Sequence, residues 1–159
     1  AEILNRLRKK IIKTLVNSNR IEEAKDGMDI SIVTVDYENM KLEYAGAYNH
    51  LYFIRGHMLE IIKADRMPVC ISAKSMKSFT NHEIDIQPGD LIYQFTDGYA
   101  DQFGGPLRKK FRIGNLRELL LEIHDKSIEE QKQILFESFI NWKGDQPQVD
   151  DVLVLGFKI

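Results

Sequence analysis

The apolar residues of this chain change their spacing from a helical period at the start to a two-residue period that begins at Met28. Over residues 2–17 apolar side chains recur three or four positions apart among basic ones, which predicts an amphipathic helix within 1–18. The later alternation predicts strands. The connections between these strands are too short for the crossovers that parallel strands need, so the strand region 28–97 is predicted to be antiparallel.

Turn residues divide the strand region further. The first strand begins at Met28, and the others are predicted at 41–47, 50–55, 58–63, 79–86 and 90–96. Their short connections favour a meander. Residues 64–78 show no steady period, and residues 98–112 are rich in Gly and charged residues, so both segments are predicted to be loops.

The carboxyl-terminal part returns to a helical period. A helical pair is predicted within 113–143, over 115–124 and 128–143, and Ser127 with Glu130 has the spacing of a capping box at the start of the second helix. A terminal strand is predicted within 151–159. With 159 residues and no compositional boundary, the chain is expected to form a single domain.

Composition excludes several classes of protein. No apolar run is long enough to cross a bilayer, and the single cysteine, Cys70, cannot form an internal disulfide, so a cytoplasmic protein is expected. Residues 1–20 hold six basic residues and one acidic residue, but the net charge of the chain is −2. The acidic remainder argues against a nucleic-acid binder.

Two acidic turns flank predicted strands. Asp97 and Gly98 follow the strand at 90–96, and Asp150 and Asp151 precede the last strand. Each alone is typical of an ordinary turn or a solvated loop. If the two strands are antiparallel neighbours, however, the carboxylates of Asp97 and Asp150 converge and repel one another unless a cation lies between them. Mg²⁺ and Mn²⁺ prefer such oxygen ligands, and the four histidines lack zinc-site spacing.

Four segments in order resemble a known family: residues 29–33, 44–55, 88–98 with Pro-Gly-Asp and Thr-Asp-Gly, and 148–155 with Asp-Asp before a terminal strand. They resemble the carboxyl-terminal two-thirds of the PPM-type, protein phosphatase 2C-like, serine/threonine phosphatases. Within that family, the chain resembles the bacterial branch typified by stage II sporulation protein E. Each triplet alone is weak evidence for the family, whereas the three triplets in this order are fairly specific for it.

The resemblance implies an α+β fold, a layered α-β-β-α sandwich of antiparallel sheets, here incomplete at its amino-terminal side. It implies that Asp97, followed by Gly98, and Asp150 are metal ligands for Mg²⁺ or Mn²⁺, two ions in the intact domain. Asp101 matches an outer acidic position for a weaker metal. Asp151 is expected to orient water or cap the strand.

The resemblance also implies that part of the site is missing. The family's amino-terminal Gly-Asp strand and Asp-Gly-His-Gly-like turn do not occur in these 159 residues, and the chain has no initiator Met. We therefore expect a partial domain that binds metal weakly or not at all and is itself inactive.

The function implied for the intact protein is hydrolysis of phosphoserine or phosphothreonine by metal-activated water. The expected partners are a phosphorylated regulatory protein, such as an anti-sigma-factor antagonist, and an upstream sensory domain. The alternative is a non-catalytic signalling or dimerisation module, a pseudophosphatase. A homodimer through surface left bare by the missing third is also expected.

Overall fold

The computed structural model describes residues 1–17, 27–70 and 77–159. The helices are α1 (Glu2–Asn17), α2 (Gly98–Asp101), α3 (Ile113–Ile123) and α4 (Ile128–Lys143). The strands are β1 (Ile30–Asp36), β2 (Lys41–Ala47), β3 (Leu51–Arg55), β4 (Met58–Ile62), β5 (His82–Asp85), β6 (Leu91–Phe95), β7 (Phe103–Gly104), β8 (Lys109–Lys110) and β9 (Val154–Lys158). In these three ranges no helix combines the length and apolar character that a membrane span requires.

The longer elements lie close to their predicted positions. Helix α4 begins at the predicted capping box: the Ser127 hydroxyl accepts a hydrogen bond from the Glu130 amide, and the Glu130 carboxylate accepts one from the Ser127 amide. Residue 18 of the predicted first helix and residues 71–76 of the predicted loop lie outside the described residues.

The first compact unit comprises residues 1–51 and 61–87. Its sheet has the order β1-β2-β5, with antiparallel registers such as Ile30↔Ala47 and Leu42↔Ile84. Helix α1 buries Leu4 in a core that also contains Ala45, Ala47, Met67, Val69 and Phe79. The apolar stripe of the helix therefore has the core role that its period predicts.

The second compact unit comprises residues 52–60 and 88–159. The sheet to which its strands belong has the order β4-β3-β6-β9. Tyr93 of β6 faces Gly156 of β9, and a Cβ at Gly156 would lie 2.9 Å from the tyrosine ring. The Tyr93 hydroxyl donates to Gln131 of α4, and burial raises the pKa of Tyr93 to about 12. Glycine at 156 thus lets the ring cover β9 and reach the helix.

The predicted meander is wrong. Strand β2 pairs with β5, β3 pairs with β6, and β6 pairs with β9, so several partners are far apart in sequence. Turn residues mark where a strand ends, but pairing is decided by which apolar faces are buried together. The resulting mixture of helices and antiparallel sheets agrees with the predicted α+β class.

The predicted loop over 98–112 contains the short helix α2 and the two-stranded hairpin β7–β8. A Cβ at Gly104 would lie 1.8 Å from the carbonyl oxygen of Trp142, and the Gly105 amide donates to that oxygen at 2.8 Å. Strands of two residues are too short to show an apolar period, so the sequence spacing does not predict this hairpin.

The Pro88-Gly89-Asp90 turn closes one end of the β3-β6-β9 region. The Asp90 carboxylate is buried and accepts two hydrogen bonds from Arg55, at 2.9 and 2.6 Å. The backbone of Asp90 accepts from the Ile159 amide, and the Gly89 amide donates to the Ile159 carbonyl. These hydrogen bonds therefore connect β3, β6 and β9 at this end of the sheet.

We predict that Arg55→Met lowers the free energy of unfolding by about 3 kcal/mol, because it removes the bidentate partner of a carboxylate that is 1% exposed. Urea denaturation of the 159-residue chain measures this change. Lys41→Met is the matched control, since it breaks the solvent-exposed pair with Asp85. That variant should leave the midpoint almost unchanged. Equal midpoints for the two variants would contradict a structural role for the Arg55–Asp90 pair.

Candidate metal site

The antiparallel register of β6 and β9 brings the two acidic turns to the same end of the sheet. Phe95, the last residue of β6, faces Val154, the first residue of β9. Asp97 lies two residues beyond this pair, and Asp150 lies four residues before it. The backbone therefore brings the two turns together, as the sequence predicts for strands that are antiparallel neighbours.

Thr96 joins the two turns directly. Its hydroxyl donates to the Asp151 carbonyl at 2.8 Å and accepts from the Leu153 amide at 3.0 Å. Its amide donates to the Leu153 carbonyl at 3.1 Å. These three hydrogen bonds hold the segment before β9 against the end of β6.

Gly98 allows this close approach. A Cβ at this position would lie 2.4 Å from the Asp151 carbonyl oxygen and 3.0 Å from its carbonyl carbon. Both are backbone atoms, which cannot move aside as a flexible side chain can. Thr96 and Gly98 of the Thr-Asp-Gly sequence are therefore explained by how the two segments pack, independently of any chemistry at Asp97.

Asp97 itself is exposed at the first turn of α2, and its backbone carbonyl accepts from the Asp101 amide at 2.9 Å. Its carboxylate makes no hydrogen bond or ion pair with any residue of the three described ranges. Asp150 is also exposed, and one of its carboxylate oxygens accepts from the Asp151 amide at 2.7 Å. Free carboxylate oxygens therefore remain at both positions.

The donor set at this end fits a hard divalent cation in kind, because it consists of carboxylate and carbonyl oxygens. It is small in number. Within the described part of the chain, no group of three or more His, Cys, Asp or Glu residues is arranged to hold a metal ion. Asp97 and Asp150 would therefore supply only part of a coordination sphere.

Asp101, predicted as an outer metal position, forms an ion pair in this structure. Its carboxylate accepts from the Lys110 ammonium group of β8 at 2.7 Å, with both side chains about half exposed. The role of Asp101 as an outer metal position stays a prediction. Asp151 contributes its backbone carbonyl to Thr96, and its carboxylate role stays a prediction.

Gln102, which the sequence did not single out, positions the segment before Asp150. The side chain is fully buried, and its amide nitrogen donates to the carbonyls of Phe103 and Pro147, both at 2.9 Å. Its amide oxygen accepts from the Val149 amide at 3.4 Å. A buried glutamine has no periodic signal, so only the fold reveals this clamp between α2 and the Asp150 turn.

We predict that Thr96→Val frees the Leu153 amide for hydrogen exchange and lowers the free energy of unfolding by about 1–3 kcal/mol, because the Asp151 carbonyl and the Leu153 amide lose their shared partner. Amide exchange followed by NMR measures the first effect. Thr34→Val on the exposed side of β1 is the control and should change neither quantity. Unchanged protection at Leu153 would show that Thr96 does not hold the turn.

Comparison with known proteins identifies the family of the chain. The stage II sporulation protein E (SpoIIE) family matches residues 1–159. No protein among the curated sequences matches the chain.

Several solved structures share the fold. The SiaA-PP2C domain of Pseudomonas aeruginosa matches with a TM-score of 0.79 and 22% identity over 99% of this chain and 69% of that one. The phosphatase domain of SpoIIE from Bacillus subtilis matches with a TM-score of 0.63 and 14% identity over 99% and 70%. The serine/threonine phosphatase PstP/Ppp of Mycobacterium tuberculosis matches with a TM-score of 0.59 and 13% identity over 92% and 65%. The chain therefore belongs to the stage II sporulation protein E family and has the fold of PP2C phosphatases.

Proposed function

We propose that this chain is the carboxyl-terminal part of a Mg²⁺- or Mn²⁺-dependent protein phosphatase that hydrolyses phosphoserine or phosphothreonine. The observation that carries the proposal is the junction at Thr96, which brings the Asp97 and Asp150 turns together. Carboxylates brought close together at these turns would repel one another, and a divalent cation between them would relieve that repulsion. Membership of a phosphatase family supplies the reaction class.

Each residue of the site has a separate task. Asp97 and Asp150 would hold the cation through their exposed carboxylate oxygens, while Thr96 and Gly98 keep the two backbone segments together. Gln102 fixes the approach of the segment before Asp150. Asp97 and Asp150 would thereby hold an ion whose Lewis-acid chemistry, the activation of water and the neutralisation of phosphoryl charge, suits phosphate-ester hydrolysis.

Two carboxylates bind Mg²⁺ or Mn²⁺ weakly, because affinity rises with the number of charged ligands. The chain spans 69% and 70% of the SiaA-PP2C and SpoIIE phosphatase domains. We therefore propose that sequence beyond these 159 residues completes the coordination sphere, and that the chain alone has negligible turnover. The proposed substrate is a phosphorylated regulatory protein, as the family resemblance implies.

We expect Asp97→Asn and Asp150→Asn each to lower the affinity of the 159-residue chain for Mn²⁺ at least tenfold, because each exchange removes an anionic ligand and keeps side-chain volume. Electron paramagnetic resonance of free Mn²⁺ measures the affinity. Asp125→Asn, at an exposed aspartate two residues after the end of α3, is the control and should bind as the unchanged chain does. Equal affinities for all four proteins would remove Asp97 and Asp150 from the proposed site.

Turnover is tested in the intact protein that contains these residues, with manganese and a phosphoserine peptide. Either asparagine variant should lose at least about a hundredfold in activity, while circular dichroism stays unchanged. An intact protein that binds Mn²⁺ through Asp97 and Asp150 and still hydrolyses nothing would instead indicate the non-catalytic signalling module.

A further inference from the structure

Residues 103–112, here called the basic hairpin, follow α2 directly and comprise β7, β8 and their exit to α3. They contain four basic side chains and no acidic one: Arg108, Lys109, Lys110 and Arg112. The whole chain has 22 basic and 24 acidic residues, so the remainder of the chain is net acidic. The basic hairpin therefore carries a net charge opposite in sign to that of the rest of the chain.

The backbone of the basic hairpin is held in place at several points. The Gly105 amide donates to the Trp142 carbonyl at 2.8 Å, and Gly104 packs against the same carbonyl. The Phe111 amide donates to the Gln102 carbonyl at 2.9 Å, and the Phe111 ring packs edge-on against Trp142. These contacts hold the basic hairpin against the end of α4.

The same backbone ties the hairpin to the candidate metal site. The Arg112 amide donates to the Ala100 carbonyl of α2 at 2.7 Å, and α2 begins immediately after Asp97. Lys110 reaches Asp101 of the same helix. The basic hairpin therefore contacts α2, the short helix that follows Asp97, through Lys110 and the backbone of Arg112.

The remaining cations are available to a ligand. Arg108, Lys109 and Arg112 are exposed, and their side chains make no hydrogen bond or ion pair within the part of the chain that the structure describes. Two apolar side chains share the surface: Phe103 is 40% exposed and Leu107 is 73% exposed. Exposed guanidinium and ammonium groups beside apolar contacts suit an acidic peptide segment.

We propose that the basic hairpin docks an acidic segment of the phosphoprotein on which the metal site acts. This inference rests on the proposed function, because that function supplies a phosphorylated protein as the ligand. Charge complementarity favours this partner, because the basic hairpin on a net acidic chain attracts anionic segments and repels cationic ones. A net acidic chain is poorly suited to a nucleic acid, and two exposed apolar residues offer little insertion into a bilayer.

The test measures binding, so it does not require turnover. The probe is a fluorescein-labelled peptide with phosphoserine flanked by Asp and Glu, together with its unphosphorylated form and a neutral peptide. Fluorescence polarisation compares the unchanged 159-residue chain with the double variant Arg108→Glu/Lys109→Glu. The control is Lys9→Glu/Lys10→Glu, which reverses two adjacent exposed cations on α1 and gives the same net charge. Thermal unfolding monitors the folding of both variants.

We expect the hairpin variant to bind the acidic peptides about tenfold more weakly, the control to bind within about twofold of the unchanged chain, and affinity to fall with added salt. Equal weakening in both variants would overturn the proposal, because the effect would then follow net charge alone. Hairpin-dependent binding to phosphatidylserine vesicles or an oligonucleotide, without peptide binding, would overturn it as well.

The two proposals can fail separately. Hairpin-dependent binding of the unphosphorylated acidic peptide supports the docking surface even where no manganese effect on the phosphorylated peptide is found. Manganese binding at Asp97 and Asp150 without any peptide preference supports the metal site and overturns the docking surface.

Discussion

The antiparallel register between β6 and β9 is the constraint on which the candidate site depends. A slip of one residue would turn every side chain of β9 to the other face of the sheet and would move the Asp150 turn away from Thr96. Tyr93 opposes such a slip, because its ring fits only over the glycine at 156 and its hydroxyl reaches Gln131. Packing in the middle of the sheet thus sets the geometry at its end.

The two ends of β6 have different tasks. At the Asp90 end, a buried carboxylate is matched by Arg55 and by the backbone of Ile159, which is a fully engaged structural arrangement. At the Asp97 end, the carboxylates are exposed, while the backbone and Thr96 make the structural bonds. Asp90, whose charge is engaged in the structure, and Asp97, whose charge is open to a ligand, therefore flank the same five-residue strand.

Much of this arrangement was predictable from the sequence, and the parts that were not predictable have physical causes. Helices α1 and α4 and most strands have a clear period and clear turns, so their positions were found within a few residues. Strand partners such as β2 with β5 depend on long-range packing, which local spacing does not encode. The ordered motifs located Asp97 and Asp150, whereas Gln102 and the β7–β8 hairpin have no repeating pattern and emerged only from contacts with Pro147, Val149 and Trp142.

The central claim is that the Asp97 and Asp150 turns together form one cation site. The most direct test is paramagnetic broadening of backbone amide signals in the nitrogen-15-labelled chain as Mn²⁺ is added in small amounts. The account predicts early and selective loss of signals at both turns, Asp97 with Gly98 and Asp150 with Asp151, while Gly89 at the opposite end of β6 persists. Broadening of one turn without the other, or first at the acidic start of α4 around Glu129 and Glu130, would contradict it.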